Sequence, residues 1–289
     1  MLWSESVTAL FIGVVSHAGS RFAVSQGPNG LAARLVEPMG RHGIDVTVLV
    51  NTDDAYDATA LPVTDDVVQA SLTEQLHLDR RWAAYLDGGR GPRWWGQHGL
   101  RWLRRTEQMV RRPGPRMVER LLNIELSHLA VLRAGVASGA DWVLVLEDDA
   151  ASTDIDDCAD GLRGLMSCGP PQPAYVNVSQ SFTPRELGIE HLLSPAPDGP
   201  WRGSVPRQVL AADRPVTNTV CAILYRAAFV TDLLAAMDAL PMEPVVPIDW
   251  KLNLALMRLH SDGRLGAGDC WQVEPGPIDQ LSMRTGAGT

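Results

Sequence analysis

Lysine is almost missing from this chain: of its 25 Lys and Arg residues, only Lys251 is a lysine. Asp and Glu number 34, so the formal net charge is −9. A chain this negative has no broad basic surface, which excludes general nucleic-acid binding. Cysteine is scarce as well. Cys158, Cys168, Cys221 and Cys270 form no C-x-x-C pair and no cluster with histidine at zinc-ligand spacing. They read as small buried apolar residues in a reduced, cytosolic compartment. No apolar run is long enough to span a bilayer. "VTALFIGVV" (7–15) has the apolar character of a signal peptide, but no Lys or Arg precedes it and Glu5 stands where positive charge is needed. It therefore reads as a first strand. There is no P-loop, no Rossmann glycine fingerprint and no G-x-S-x-G elbow. "DIDDCADG" (154–161) fails as a calcium loop: counted from Asp156, the third position is Cys158 and the twelfth is Ser167, so the bidentate Glu is lacking.

What is present is an ordinary globular composition, 45% apolar and 20% charged over 289 residues. That length can bury a large core as one α/β domain or two small ones. "TALFIGVVS" (8–16) and "IDVTVLVNTDD" (44–54) are apolar runs that end in polar residues, with a helix over "LAARLVEPM" between them. Strand, helix and strand at this spacing predict a parallel crossover unit. Ligands of such sheets gather at the carboxyl ends of the strands, where Ser16, His17, Asn51, Asp53 and Asp54 would lie. A helix is predicted over 115–140, a strand in "DWVLVLEDDA", a helix over 159–167 and a strand over 174–181. A strand and helix follow in 216–240, a helix in 247–260, and a short strand, a Pro-rich loop and a mobile tail (283–289) close the chain.

Residues 79–120 stand apart. They hold four tryptophans and many arginines with few acidic groups, in a chain that is otherwise acidic. They read as a helical insertion. The stretch 100–112 places Trp102, Leu103, Thr106, Met109 and Val110 near one side of a helix. Either 93–112 touches anionic lipid headgroups, or the arginines pair with the acidic body.

The chain's most telling feature is "ADWVLVLEDDA" (140–150), a buried strand ending on Glu147, Asp148 and Asp149. Three adjacent carboxylates repel one another, and something positive must offset the repulsion. Hard oxygens suit Mg²⁺ or Mn²⁺, and residues i and i+2 share one side of a strand, so Glu147 and Asp149 can face one ion. The alternative is an acidic strand end paired to arginines or solvated.

The triplet has neighbours. "ELSHLAVLRAGVASGADWVLVLEDDA" (125–150) resembles the family 25 glycosyltransferases, which include lipo-oligosaccharide and collagen galactosyltransferases. That family has a helix beginning near a Ser-His pair and a strand ending in Leu-Glu-Asp-Asp. Here those residues are Ser127, His128 and Leu146 to Asp149. "NTVCAILYRAAFV" (218–230) is similar to the segment that closes the donor site, and "PIDWKL" (247–252) to a Pro-x-Asp element carrying Asp249. The opening departs from the pattern: "SHAGSRF" offers Arg21 as the only arginine comparable with the family's arginine-rich loop.

The resemblance implies a GT-A-like sandwich with a mainly parallel central sheet. It implies a metal site at Glu147, Asp148 and Asp149, donor contacts at Ser16, Arg21 and His128, and Asp249 as the base of an inverting transfer. The donor would be a nucleotide sugar, the cofactor Mn²⁺ or Mg²⁺, and the acceptor a glycan or glycolipid of the cell envelope. The expected location is cytoplasmic, at the inner face of the membrane if 93–112 makes peripheral contact. The alternative role for Asp249 is a helix N-cap. Asp269, Glu274 and Asp279 are equal candidates for a third metal or diphosphate contact, and "PGPIDQLS" (275–282) for a donor lid. Two other functions compete. One is a metal-dependent phosphoester or nucleotide hydrolase, which would want more His and Asp ligands than the seven histidines supply. The other is a non-catalytic sugar-nucleotide-binding scaffold.

Overall fold

The computed structural model describes residues 8–17, 20, 27–52, 56–59, 62–86, 114–169, 172–180, 183–187, 189–197, 200–217 and 219–284. Arg21, Asp53, Asp54 and the stretch 93–112 lie outside the described residues. So do 87–113 as a whole, which bracket most of the Arg/Trp segment; 79–86 and 115–120 fall in the helices on either side of it.

The first strand, β1 (Ala9–Val15), is parallel to β2 (Asp45–Asn51) on one side and to β3 (Trp142–Glu147) on the other. Between β1 and β2 runs helix α1 (Leu31–Arg41), which makes the predicted crossover. Helix α2 (Asp65–Leu86) follows, then α3 (Pro115–Ala137) with proline in its first turn, where a missing N–H costs nothing. Beyond β3 come β4 (Ala150–Ala151), α4 (Ile155–Met166), β5 (Tyr175–Asn177) and β6 (Ser179–Gln180). Asp154 caps α4 by accepting from Asp157 N at 2.9 Å. That local bond accounts for part of the aspartate run that superficially suggests a calcium loop.

The chain continues through α5 (Pro184–Leu187), β7 (Leu193–Pro195), β8 (Gln208–Ala212) and β9 (Ala222–Arg226). It ends with α6 (Ala227–Asp238), α7 (Ile248–Ser261), β10 (Cys270–Glu274), β11 (Ile278–Gln280) and α8 (Leu281–Arg284). The expected tail at 283–289 is thus corrected at its start: Met283 and Arg284 are helical, and 285–289 lie outside the described residues.

Eight strands form one sheet in the order β2-β1-β3-β9-β5-β10-β8-β7. The class is α/β as expected, but the sheet is mixed rather than mainly parallel. β9 lies between β3 and β5 and runs antiparallel to both, and β8 is antiparallel to β10 and β7. A buried apolar run looks the same whichever way its strand points, so the sequence pattern carried no sign of this.

Period-two alternation divides the sheet between two cores. Phe11, Val143, Val145, Ile223 and Tyr225 face α3, α6 and α7. Leu10, Ile12, Leu144, Leu146 and Leu224 face α1 and α4. Glycine lets α3 approach closely: a Cβ on Gly13 would stand 2.2 Å from Val131 Cγ1, and one on Gly135 2.8 Å from Val143. That approach brings α3's side chains to the strand end.

A second sheet, β4-β11-β6, sits where β3 ends. Gln280 pairs with Ala150 and Asp279 with Ala151, while Ile278 pairs with Ser179. Gly276 makes this possible, because a Cβ there would meet the Ser179 carbonyl carbon at 2.3 Å. The C-terminal segment is thereby laid against the acidic tip.

Candidate metal centre

β3 is buried along its apolar length, and its polar end emerges half-buried at Glu147 and Asp148 before the chain turns in again at Asp149, 4% exposed. One oxygen of each flanking carboxylate is held by the β11–α8 segment. Gln280 Nε2 donates to Glu147 Oε2 at 3.2 Å, and Ser282 N donates to Asp149 Oδ2 at 3.2 Å. Leu281 N also donates to the Asp149 carbonyl at 3.1 Å. The second oxygens lie by other groups. Asp149 Oδ1 is 3.9 Å from Cys221 Sγ, and Glu147 Oε1 is 3.6 Å from His128 Nε2.

Glu147, Asp149 and Cys221 each offer a ligand atom, and the three lie within 4.8 Å of one another. Glu147 and Asp149 thus come together as expected, but not as two positions of one strand: β3 ends at Glu147, and Asp148 and Asp149 form a turn. Asp148 is not in this trio; its Oδ2 accepts from Ser16 Oγ at 3.2 Å, so the structure joins Ser16 to the triplet through the middle carboxylate. Ser16 N in turn donates to Asn51 O at 2.9 Å, which ties the carboxyl ends of β1 and β2 to the tip. His128 is 4% exposed, and its Nε2 has no hydrogen-bond partner. At 3.6 Å from Glu147 it is within ion-pair range but beyond hydrogen-bond range.

The electrostatics are strained toward neutrality. Burial pushes the Asp149 carboxyl above the usual carboxylate range; Ser282 pulls it back, while Glu147 and Asp148 push it further up. Burial also holds the Cys221 thiol well above its ordinary value, and Glu147, Asp149, Asp148 and Asp279 add to the effect. A half-buried and a buried carboxylate and a buried thiol, with an imidazole nitrogen that lacks a hydrogen-bond partner beside them, make a donor set that fits a divalent cation, whose charge would offset what burial costs.

Asp249 stands apart from the trio, half-buried in the first turn of α7. Its N-cap reading is corrected: the cap position is Pro247, and Asp249 is the second helical residue, where its charge suits the helix N-terminus. A run of hydrogen bonds connects its helix to the tip. Asn253 accepts from Thr217 N at 3.1 Å, and Thr217 Oγ1 donates to Thr219 O at 2.8 Å. Thr219 Oγ1 donates to Gln280 Oε1 at 3.4 Å, and Gln280 holds Glu147. Asn177, buried, donates to both Thr217 Oγ1 and Thr219 O. A second tie is the buried Lys251–Glu125 ion pair, which joins α7 to α3, the helix carrying His128.

Cys221, Gln280 and Ser282 were not singled out from the sequence, although they lie in 218–230 and 275–282, the segments that the resemblance assigns to the donor site. Cys221 precedes β9, and Glu147 N donates to Cys221 O at 2.8 Å, so only the β3–β9 pairing reveals that a thiol faces the carboxylates. Of the candidates for a third contact, Asp279 lies at the tip, its carbonyl 3.9 Å from Cys221 Sγ. Asp269 closes a turn onto Gly266 N, and Glu274 accepts from Gln272. Among the described residues no helix is long and apolar enough to cross a membrane. Comparison with known proteins gives no match to this chain, either from family models or from curated sequences.

Proposed function

We propose that this chain is a metal-dependent glycosyltransferase with a GT-A-like fold, moving a sugar from a nucleotide-sugar donor to a hydroxyl of a glycan or glycolipid. The observation that supports it best is the Glu147–Asp149 pair, half-buried and buried, at the carboxyl end of a central strand, each carboxylate held by one donor from the C-terminal segment. Sheets of this class bind ligands at that end. A bound Mn²⁺ or Mg²⁺ would supply Lewis-acid neutralisation of the departing diphosphate.

The chain's own residues do the rest. Gln280 and Ser282 hold the two carboxylates in place, and Ser16 orients Asp148. Arg21 gives the diphosphate a charge-assisted contact. His128 steadies the Glu147 side of the site. Asp249 accepts the proton of the acceptor hydroxyl on the face opposite the leaving group, so the transfer inverts the anomeric carbon. Asn253 and Lys251, the latter through Glu125, fix the first turn of α7 and with it Asp249. The 93–112 stretch makes peripheral contact with the membrane that carries the acceptor, at its cytoplasmic face.

The test is a panel of sugar nucleotides, scored for thermal shift and slow donor hydrolysis with and without Mn²⁺. One donor should stabilise the protein only when metal is present. Rapid turnover without acceptor would make it a hydrolase instead, and donor binding without turnover would make it a scaffold. Asp249→Asn should lower turnover by on the order of 10²–10⁴ with little change in melting temperature; full activity would remove the base assignment.

A further inference from the structure

The trio at the tip is not an all-oxygen site. Cys221 is fully buried, and its Sγ stands 3.9 Å from Asp149 Oδ1 and 3.9 Å from the Asp279 carbonyl oxygen. Across a tetrahedral ion, a sulfur at ~2.3 Å and an oxygen at ~2.1 Å lie about 3.6 Å apart. The observed sulfur–oxygen separation is thus close to what two ligands of one ion require, and longer than a strong hydrogen bond would make it. His128 supplies a second, independent sign. Its Nε2 is buried, lacks a hydrogen-bond partner and faces Glu147 Oε1 at 3.6 Å, where an imidazole and a carboxylate oxygen bound to the same ion would lie about 3.4 Å apart. His128 is outside the set whose atoms are all within 4.8 Å, so it borders the trio through Glu147 rather than joining it.

We propose that Cys221 is a metal ligand, and that with Glu147 and Asp149 it makes the centre select a borderline-soft divalent cation such as Zn²⁺ or Co²⁺ over Mg²⁺. The proposal rests on the reading that the tip binds a divalent ion; it adds a third ligand and sets aside Mg²⁺, one of the two ions named in that reading, for a softer one. Thiolate donors favour the softer ions, and Mg²⁺ demands an octahedron of hard oxygens and keeps several of its waters. A donor set with one sulfur, and an imidazole beside it, meets the first requirement and not the second. Neither an acidic triplet nor a solitary cysteine implies this alone; the juxtaposition made by the β3–β9 pairing does.

The experiment is a Co²⁺ titration of the full chain, read by the sulfur-to-cobalt charge-transfer absorption, beside a Mn²⁺ titration read by electron paramagnetic resonance. Expected are a charge-transfer band saturating at one ion per chain, no displacement by Mg²⁺, and loss of the band in both Cys221→Ser and Cys221→Ala. Co²⁺ affinity should fall by roughly 100-fold or more, since even outer-shell losses cost 10–100-fold. Should both variants fail to fold, X-ray absorption at the zinc edge of the wild-type chain answers the same question: a sulfur neighbour supports the proposal, and an oxygen–nitrogen shell overturns it. Mn²⁺ binding with no sulfur signal for Co²⁺ or Zn²⁺ overturns the role of Cys221 and leaves the oxygen-bound metal reading intact. No binding of any of these ions overturns both.

Discussion

Helix α3 carries buried polar groups to two places, and they are resolved in opposite ways. Glu125, 1% exposed, meets Lys251 on α7, so its charge is answered from within the protein. Burial raises the Glu125 carboxyl and Lys251 pulls it back down. Three residues later His128 reaches toward Glu147, beside Asp149, whose charged form is favoured by contacts from Ser282. The single lysine of the chain is therefore placed at a structural joint between two helices. Another buried acid, Asp149, is held by a backbone N–H and a thiol, a state that a cation from outside could complete. A sealed pair is a device for fixing α7, and with it Asp249; an unsealed acid beside a thiol and an unpartnered imidazole is a device for binding.

The largest effect should come from breaking the sealed pair. Lys251→Met leaves Glu125 buried without its cation and should destabilise the fold by about 3–5 kcal/mol, read as a lowered urea midpoint. The double variant Glu125→Leu/Lys251→Met should recover most of that loss, because two apolar groups of similar volume replace a costly pair. If the single and double variants were equally unstable, the pair would not be the joint described.

A smaller effect, confined to the unsealed side, is expected for Gly276→Ala. The new methyl would meet the backbone of Ser179 and Gln180 at 2.3–2.5 Å, which no side-chain adjustment can relieve. The loss should be about 1–3 kcal/mol. It should also weaken Mn²⁺ binding, since β11 positions Gln280 against Glu147. Unchanged metal affinity would disconnect the small sheet from the site.

Asp149→Asn should act in the opposite direction on stability. A carboxyl whose folded pKa is raised stabilises the fold fully below its unfolded pKa, and that contribution is lost as pH rises through the folded value. For Asp149 the loss begins above its ordinary 3.8. The metal-free wild type should therefore lose stability as pH rises from 4 toward 8, and the Asn variant should lose less. At pH 7 its Tm should be about 2–4 °C higher per kcal/mol of relieved burial. An added divalent cation should abolish this advantage. A flat difference between the two melting curves across pH would show that Asp149 is already compensated. At the bottom of the scale, Arg41→Ala breaks an exposed pair with Asp156 and should change stability by less than about 1 kcal/mol.

The sequence pattern exposed the parts of the fold that repeat with a period. β1 and β3 read directly from apolar runs that stop at polar residues, and α3 from leucines at helical spacing. The carboxylates at the end of β3 were legible as a run, but it is the turn at Asp148 and Asp149, not strand alternation, that brings Asp149 back beside Glu147. α2 has no such regular stripe; Thr64 followed by Asp65 and Asp66 is the start signal that would have found it. β4, β6 and β11 are two or three residues long, too short for any period to show. Cys221, Gln280 and Ser282 lie in segments that the resemblance links to the donor site, but their contacts with the carboxylates arise because strands distant in sequence pair there, and pairing partners leave no local trace. The reversed β9 was hidden in the same way.

The most direct measurement is Mn²⁺ binding to the full chain by electron paramagnetic resonance, compared with the double variant Glu147→Gln/Asp149→Asn. Expected are one bound ion per wild-type chain and none in a variant that remains folded and melts no lower than wild type in chelator. An ion bound equally well by both proteins, or by neither, would contradict a metal centre at the end of β3.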